Sequence, residues 1–100
     1  MNILDKIVFD KGLEVKLRKS FIPVAQLEQS VLFNRPKHSL AVALRNSNSG
    51  IIAEHKRRSP SKSVINLNLN VQDVATGYEN AAVCGMSVLT DAKYFGGSLD

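Results

Sequence analysis

Residues 51–62, IIAEHKRRSPSK, decide the fold, because a short apolar segment ends there in a cluster of charges. The composition of residues 51–56 predicts a strand that follows a turn. Glu54 and Lys56 are two positions apart, so a strand would point both side chains to the same face. Charges at the carboxyl end of an apolar strand are typical of parallel barrels, whose active sites lie at that end. A surface ion pair is the alternative interpretation.

The loop that follows, residues 57–62, brings together guanidinium, hydroxyl and ammonium groups. These groups suit a carboxylate or a phosphate, and a solvated basic loop is the alternative. Residues 86–90 are a second strand candidate, apolar enough to be buried, and residues 91–100 are expected to form a loop. An aromatic pair beside two glycines, YFGG, indicates a flexible cover over an apolar ligand. The alternative is that Phe95 packs down onto the fold.

Four helices are expected from capping residues and apolar spacing. The first covers residues 2–20, with Asn2 as its cap, and the second starts at Pro23 and reaches Val31. Ser39 caps the third helix. The fourth begins after Asn70, carries an apolar stripe at residues 71, 74, 75, 78 and 82, and stops at Gly85.

The order strand, helix, strand predicts a right-handed βαβ unit with parallel strands. We therefore expect an α/β fold with two parts. Residues 1–50 form an N-terminal helical extension, and residues 51–100 form the first βαβ segment of a larger sheet.

The composition is that of an ordinary globular protein, with 44% hydrophobic and 22% charged residues. No apolar run approaches the ~20 residues that a membrane helix needs, so no membrane partner is expected. The single cysteine, Cys84, cannot form an internal disulfide. A reducing, cytoplasmic location fits best.

The positive charge is concentrated in one part of the chain. Residues 1–62 hold twelve of the thirteen Lys and Arg and five of the nine acids, a net charge of +7. Such a region attracts anions, either nucleic acid or a phosphorylated metabolite. The basic cluster at residues 56–62 lacks the interleaved aromatics that single-stranded nucleic-acid binders use, which argues against nucleic acid. A non-catalytic basic binding module is the alternative function.

The two strand regions resemble one enzyme family. Residues 51–62 closely resemble the first-strand motif of indole-3-glycerol phosphate synthases, and residues 87–98, SVLTDAKYFGGS, resemble their second-strand motif. Similarity extends to residues 3–7, 35–36 and 43–45 and to Tyr78-Glu79, so it covers essentially the whole chain. Two long motifs in the right order are a specific signal.

The resemblance implies the N-terminal part of a (β/α)8 TIM barrel with a helical extension. It also implies a carboxy-lyase of tryptophan biosynthesis. This enzyme converts 1-(2-carboxyphenylamino)-1-deoxyribulose 5-phosphate to indole-3-glycerol phosphate, with loss of carbon dioxide and water and with no cofactor or metal. Its partner would be this small phosphorylated substrate.

Site residues are also implied by the motifs. Lys56 would contact the substrate carboxylate and assist ring closure as a cation, and Glu54 would hold Lys56 in position. Ser59 and Pro60 would line the pocket, and Phe95 would pack against the anthranilate ring.

Three positions depart from the family pattern. His55 stands where an apolar or aromatic residue is common and is expected to be a buried, hydrogen-bonded residue. Ser63 replaces a common glycine, and Cys84 is expected to serve packing.

A barrel of this type needs eight βα units and about 250 residues, and this chain offers two strands. The 100-residue chain alone is therefore expected to be inactive. It is also expected to self-associate, because one helix covers only one face of a two-stranded sheet.

Overall fold

The computed structural model describes all residues from Met1 to Asp100, in two compact units, Met1–His38 and Ser39–Asp100. The first unit contains α1 (Ile3–Phe21) and α2 (Val24–Leu27). The second contains α3 (Leu40–Arg45), β1 (Ile52–His55), α4 (Val71–Asn80), β2 (Gly85–Val88) and α5 (Ala92–Phe95). In this chain α3 lies in the same unit as the strands. The division into a helical extension, residues 1–50, and a βαβ segment, residues 51–100, stays a prediction about the full-length protein.

Helix α1 begins and ends close to its predicted limits. The Asn2 side chain accepts a hydrogen bond from the Asp5 main-chain N–H at 2.8 Å, which satisfies one of the free donors of the first turn. The helix continues through Gly12 and ends before Pro23. The apolar residues of α1 do not form a buried stripe, because Leu4 and Val8 are exposed.

The second predicted helix is shorter than expected. It ends at Leu27, and Val31 lies beyond it. After Leu27 the chain continues in turns, with the Ser30 hydroxyl accepting a hydrogen bond from the Leu32 N–H at 3.3 Å. A serine hydroxyl competes in this way with helical hydrogen bonding. The third helix agrees with its prediction, since the Ser39 hydroxyl caps it through the Val42 N–H at 3.2 Å.

The two strands form a parallel pair, as the strand–helix–strand order predicted. The register pairs Ile52 with Gly85 and Glu54 with Ser87. Both strands are shorter than expected, and β2 starts one residue before the predicted limit. The expected burial of this strand is not found within the chain, since Val88 remains 43% exposed. By register, Val88 shares its face with His55 and Ile52 lies on the opposite face, so exposed apolar residues remain on both faces of the sheet.

Helix α4 starts as predicted, with the Asn70 side chain accepting from the Gln72 N–H at 2.7 Å. Its half-buried residues are the predicted stripe, and they repeat at helical spacing: Val71, Val74, Ala75 and Tyr78. The predicted stop is wrong. The helix ends at Asn80, and Ala82 adopts the left-handed conformation with φ 62°.

The end of α4 is a Schellman motif built on alanine. The Val83 N–H bonds to the Tyr78 carbonyl at 3.3 Å, and the Ala82 N–H bonds to the Glu79 carbonyl at 2.9 Å. Gly85, which we expected to end the helix, is instead the first residue of β2.

Residues 91–100 are not wholly a loop, because they contain α5. The Asp91 carboxylate accepts a hydrogen bond from the Tyr94 N–H at 2.7 Å and so caps the helix. Gly96 ends it with φ 66°. A capping aspartate and a left-handed glycine five residues later delimit one helical turn.

Burial is low throughout the chain. No hydrophobic residue is fully buried, and His55, at 8% exposure, is the one buried residue. None of the five helices has both the length and the apolar character that crossing a membrane requires.

Candidate active site

An acid and a base share one side of the first strand. Glu54 belongs to β1, and Lys56 is the first residue after His55 ends the strand. The Lys56 ammonium lies 3.2 Å from Glu54 Oε1. The side chains are 36% and 48% exposed, so both groups are accessible to a ligand. An exposed pair of this kind contributes little to stability.

Ser87 of β2 adds a hydroxyl to the same region. It is the register partner of Glu54 in the parallel pair, and register partners present their side chains on the same face of a sheet. Sequence reasoning did not single out Ser87 as a site residue. Ser87 could have been identified by assuming a parallel register and following which side chains alternate onto the face of Glu54.

The loop after β1 is ordered by its own hydrogen bonds. Ser59 and Lys62 exchange two main-chain bonds, at 2.8 and 3.1 Å, and this turn contains Pro60. The Ser59 hydroxyl also accepts from the Lys62 N–H at 3.2 Å. The turn therefore fixes Ser59 and Pro60 a few residues beyond Lys56.

Arg57 makes hydrogen bonds to the later part of the connection between β1 and α4. Its guanidinium donates to the Leu67 carbonyl at 3.1 Å, and its own carbonyl accepts from the Ile65 and Asn66 N–H groups, both at 2.9 Å. Arg58 donates to the Ala92 carbonyl at 2.6 Å. Both guanidiniums are thus engaged by main-chain carbonyls. The sequence predicts donors for an anion or solvated charges at these positions, and the structure shows main-chain contacts instead.

Phe95 lies in the segment that follows β2. It ends α5 and is half-buried, and its carbonyl accepts a hydrogen bond from the Arg58 N–H at 3.3 Å. This bond joins the loop after β1 to the segment after β2. Ser59 and Phe95, which the sequence separates by a helix and a strand, therefore belong to two segments that touch.

Gly97 allows the chain to turn back immediately after α5. A Cβ at this position would lie 2.1 Å from the Leu89 carbonyl oxygen and 2.7 Å from the Thr90 carbonyl carbon. These are main-chain atoms and cannot move aside, so the close approach requires glycine.

His55 points away from this region. Strand alternation places it on the face opposite Glu54 and Lys56. It lines a cavity of about 240 Å³ together with residues from the end of β2, the start of α4 and the segment 97–100. Its position agrees with the expected buried residue outside the active site. No hydrogen bond from its ring to the protein is seen, and neither ring nitrogen is a buried atom left without a partner. No three His, Cys, Asp or Glu side chains come together as a metal site would require.

The family model for indole-3-glycerol phosphate synthase matches residues 4–100. A synthase of this name from Bacteroides thetaiotaomicron is 42% identical over 98 residues, which are 98% of this chain and 38% of that protein. One from Acinetobacter baylyi is 40% identical over 96% of the chain and 36% of its own length. A chloroplastic one from Arabidopsis thaliana is 35% identical over 99% of the chain and 26% of its own length.

These matches agree with the geometry of the two segments. The matched range contains both strands, the acid–base pair and the segment that carries Phe95. The chain spans between a quarter and two fifths of the length of these three relatives. It belongs to the indole-3-glycerol phosphate synthase family.

Proposed function

We propose that the full-length protein is an indole-3-glycerol-phosphate synthase of tryptophan biosynthesis. It converts 1-(2-carboxyphenylamino)-1-deoxyribulose 5-phosphate to indole-3-glycerol phosphate and releases carbon dioxide and water. The observation that carries this proposal is the Glu54–Lys56 pair, 3.2 Å apart at the carboxyl end of β1, in a chain that matches the family along its length.

The parallel pair supports the finer fold proposal, a (β/α)8 barrel. In such barrels active sites lie at the carboxyl ends of the strands. Lys56, Ser59 and Pro60 follow β1, and Phe95 follows β2, so all of them lie beyond strand ends. Residues 51–100 then contribute the first part of the barrel, and residues 1–50 contribute its helical extension.

The side chains of this site have complementary roles in the proposal. The Lys56 ammonium binds the carboxylate of the substrate and stabilises negative charge that shifts during ring closure. Glu54 keeps the ammonium in place through their ion pair. Ser59 and Pro60 line the pocket from the turn, and the ring of Phe95 packs on the anthranilate ring. The substrate is the small phosphorylated partner, and a cytoplasmic location is part of the same proposal.

The test is complementation of a strain that lacks this enzyme, using the intact gene. Growth without tryptophan is the expected result, and a variant with Lys56→Ala is the matched control that should not restore growth. Soluble expression of the intact protein with no growth would contradict the proposal.

Self-association of the 100-residue chain is a second proposal, and the exposed apolar residues favour it. Ile52 and Val88 lie on the two strands and remain 48% and 43% exposed. A two-stranded sheet also has two unpaired edges, which invite pairing with another copy. The alternative of a basic binding module is weakened by Arg57 and Arg58, whose guanidiniums contact carbonyls of the chain itself.

A further inference from the structure

We propose that Arg58 is a positioning residue that fixes the segment carrying Phe95 against the loop carrying Ser59 and Pro60. The inference rests on the proposed function for the role of Phe95. The contacts of Arg58 themselves do not depend on that function.

Arg58 contacts the Phe95 segment at three successive places. Its Nη2 donates to the Ala92 carbonyl at 2.6 Å, at the start of α5. Its main-chain N–H donates to the Phe95 carbonyl at 3.3 Å, at the end of α5. Its Nε lies 3.0 Å from where a Cβ of Gly96 would stand, so the guanidinium passes directly over that residue. The Ala92 carbonyl also accepts from the Gly96 N–H at 3.1 Å, so the guanidinium lies at the carboxyl end of α5, beside Gly96.

Helix α5 needs such support, because it has only four residues. An isolated helical turn is unstable, since fixing the first turn costs more conformational entropy than its few hydrogen bonds return. The bonds that close this turn include the Asp91 cap, the Gly96 N–H to the Ala92 carbonyl at 3.1 Å and the Gly97 N–H to the Asp91 carbonyl at 2.8 Å. The guanidinium binds that same Ala92 carbonyl as a second donor. A charged donor on a carbonyl of a short helix gives a stronger bond than a neutral one.

A direct contact with substrate is the competing role for Arg58. The observed geometry opposes it, because the guanidinium is turned towards Ala92 and Gly96. Lys56, by contrast, is paired only with the exposed Glu54 carboxylate and stays accessible. The two cations thus have different roles: Lys56 binds the ligand, and Arg58 positions the segment that carries Phe95.

Arg57 offers a matched control. It is the adjacent arginine, and its guanidinium also donates to a main-chain carbonyl, that of Leu67 at 3.1 Å. That bond stays within the connection between β1 and α4 and does not reach Phe95. Arg57→Met and Arg58→Met remove the same charge and keep a similar side-chain length, so only the second should affect the Phe95 segment.

The experiment uses the full-length protein with two readouts. In the first, amide hydrogen exchange of residues 58 and 96 should become about tenfold faster in R58M and remain unchanged in R57M. In the second, R58M should raise KM about tenfold with little change in kcat, since Phe95 contributes to binding. Arg58→Lys should recover part of the loss, because it keeps a charged donor.

A double-mutant cycle makes the role specific. If Arg58 acts through Phe95, the KM effects of R58M and Phe95→Ala should be strongly less than additive. Additive effects, or unchanged exchange at residues 58 and 96 in R58M, would overturn the proposal. Faster exchange in R58M, together with a wild type that lacks synthase activity, would support the positioning role and count against the proposed function instead.

Discussion

The Tyr78 hydroxyl donates a hydrogen bond to the Glu54 main-chain carbonyl at 3.2 Å, across twenty-four positions of sequence. Tyr78 lies on the half-buried stripe of α4, and Glu54 sends its carboxylate to Lys56. Helix α4 therefore holds the backbone of Glu54 in place, and the Glu54 side chain remains available for the site.

Tyr78→Phe should destabilise the full-length protein by about 1 kcal/mol, because the Glu54 carbonyl loses its hydrogen bond from the hydroxyl. Urea unfolding measures this change. Tyr78→Leu should cost more, since it also removes ring packing against the sheet. A Tyr78→Phe protein with unaltered stability would show that water replaces the hydroxyl without loss.

Lys56→Ala should lower turnover of the full-length protein by orders of magnitude and leave its unfolding midpoint nearly unchanged. The ammonium is partly exposed and contributes little to packing, but it is needed when charge shifts in the substrate. Lys56→Arg should not restore full activity, because a planar guanidinium has a different shape and hydration. Steady-state kinetics measure both effects, and near-normal turnover in Lys56→Ala would exclude the assigned role.

Ala82→Gly should stabilise the full-length protein by about 1 kcal/mol. Ala82 has φ 62°, a region that costs an L-residue with a Cβ about this amount and costs glycine nothing. The control is the neighbouring Ala81→Gly, where φ is −83° and glycine brings only greater freedom in the unfolded state. Thermal or urea unfolding should move in opposite directions for the two variants. A destabilised Ala82→Gly protein would contradict this account.

The stability of α1 should depend on pH through Glu14. A hydrogen bond from Lys11, reinforced by the charges of Lys11 and Arg18, holds the Glu14 pKa below its ordinary value of 4.5. Because the folded-state pKa is the lower one, the stabilising contribution is complete above pH 4.5 and disappears as pH falls through the folded-state pKa. NMR titration of the Glu14 carboxyl measures the shift. Lys11→Met should move the pKa upwards more than Arg18→Met, and the reverse order would contradict the assignment of causes.

The 100-residue chain on its own should self-associate and show no synthase activity. Ile52 and Val88 are exposed on opposite faces of the sheet, and together with its two free edges they provide surfaces for association. Light scattering combined with size-exclusion chromatography measures the mass. A folded monomer with cooperative unfolding would contradict the association, and formation of indole-3-glycerol phosphate by that monomer would contradict the inactivity.

Local signals in the sequence predicted the elements that depend on a single cap. Asn2, Ser39 and Asn70 each accept the main-chain hydrogen bond that their positions suggested. The parallel pairing followed from the order strand, helix, strand. These features depend on neighbouring residues or on chain connectivity, both of which are visible in a sequence.

The sequence-based predictions were wrong where two local signals favoured different structures. They were also wrong where a contact between residues far apart in sequence determined the structure. Glycine is the residue that most often ends a helix, yet in α4 Ala82 adopts the left-handed conformation and Gly85 begins β2. Helix α5 was missed because four residues carry no periodicity, although Asp91 and Gly96 mark its limits. The role of Arg58 depends on Ala92, thirty-four positions away, and a basic loop gives no sign of such a partner.

The close approach at Gly97 restricts how this gene can vary. Any side chain there would collide with the main chain of residues 89 and 90, whereas a Cβ at Gly12 or Gly77 would meet nothing within 4 Å. A library randomised at these three codons and selected for folded protein should return glycine at position 97 and many residues at the other two. An intolerant position in such a selection is often attributed to chemistry, but Gly97 would be intolerant for steric reasons alone.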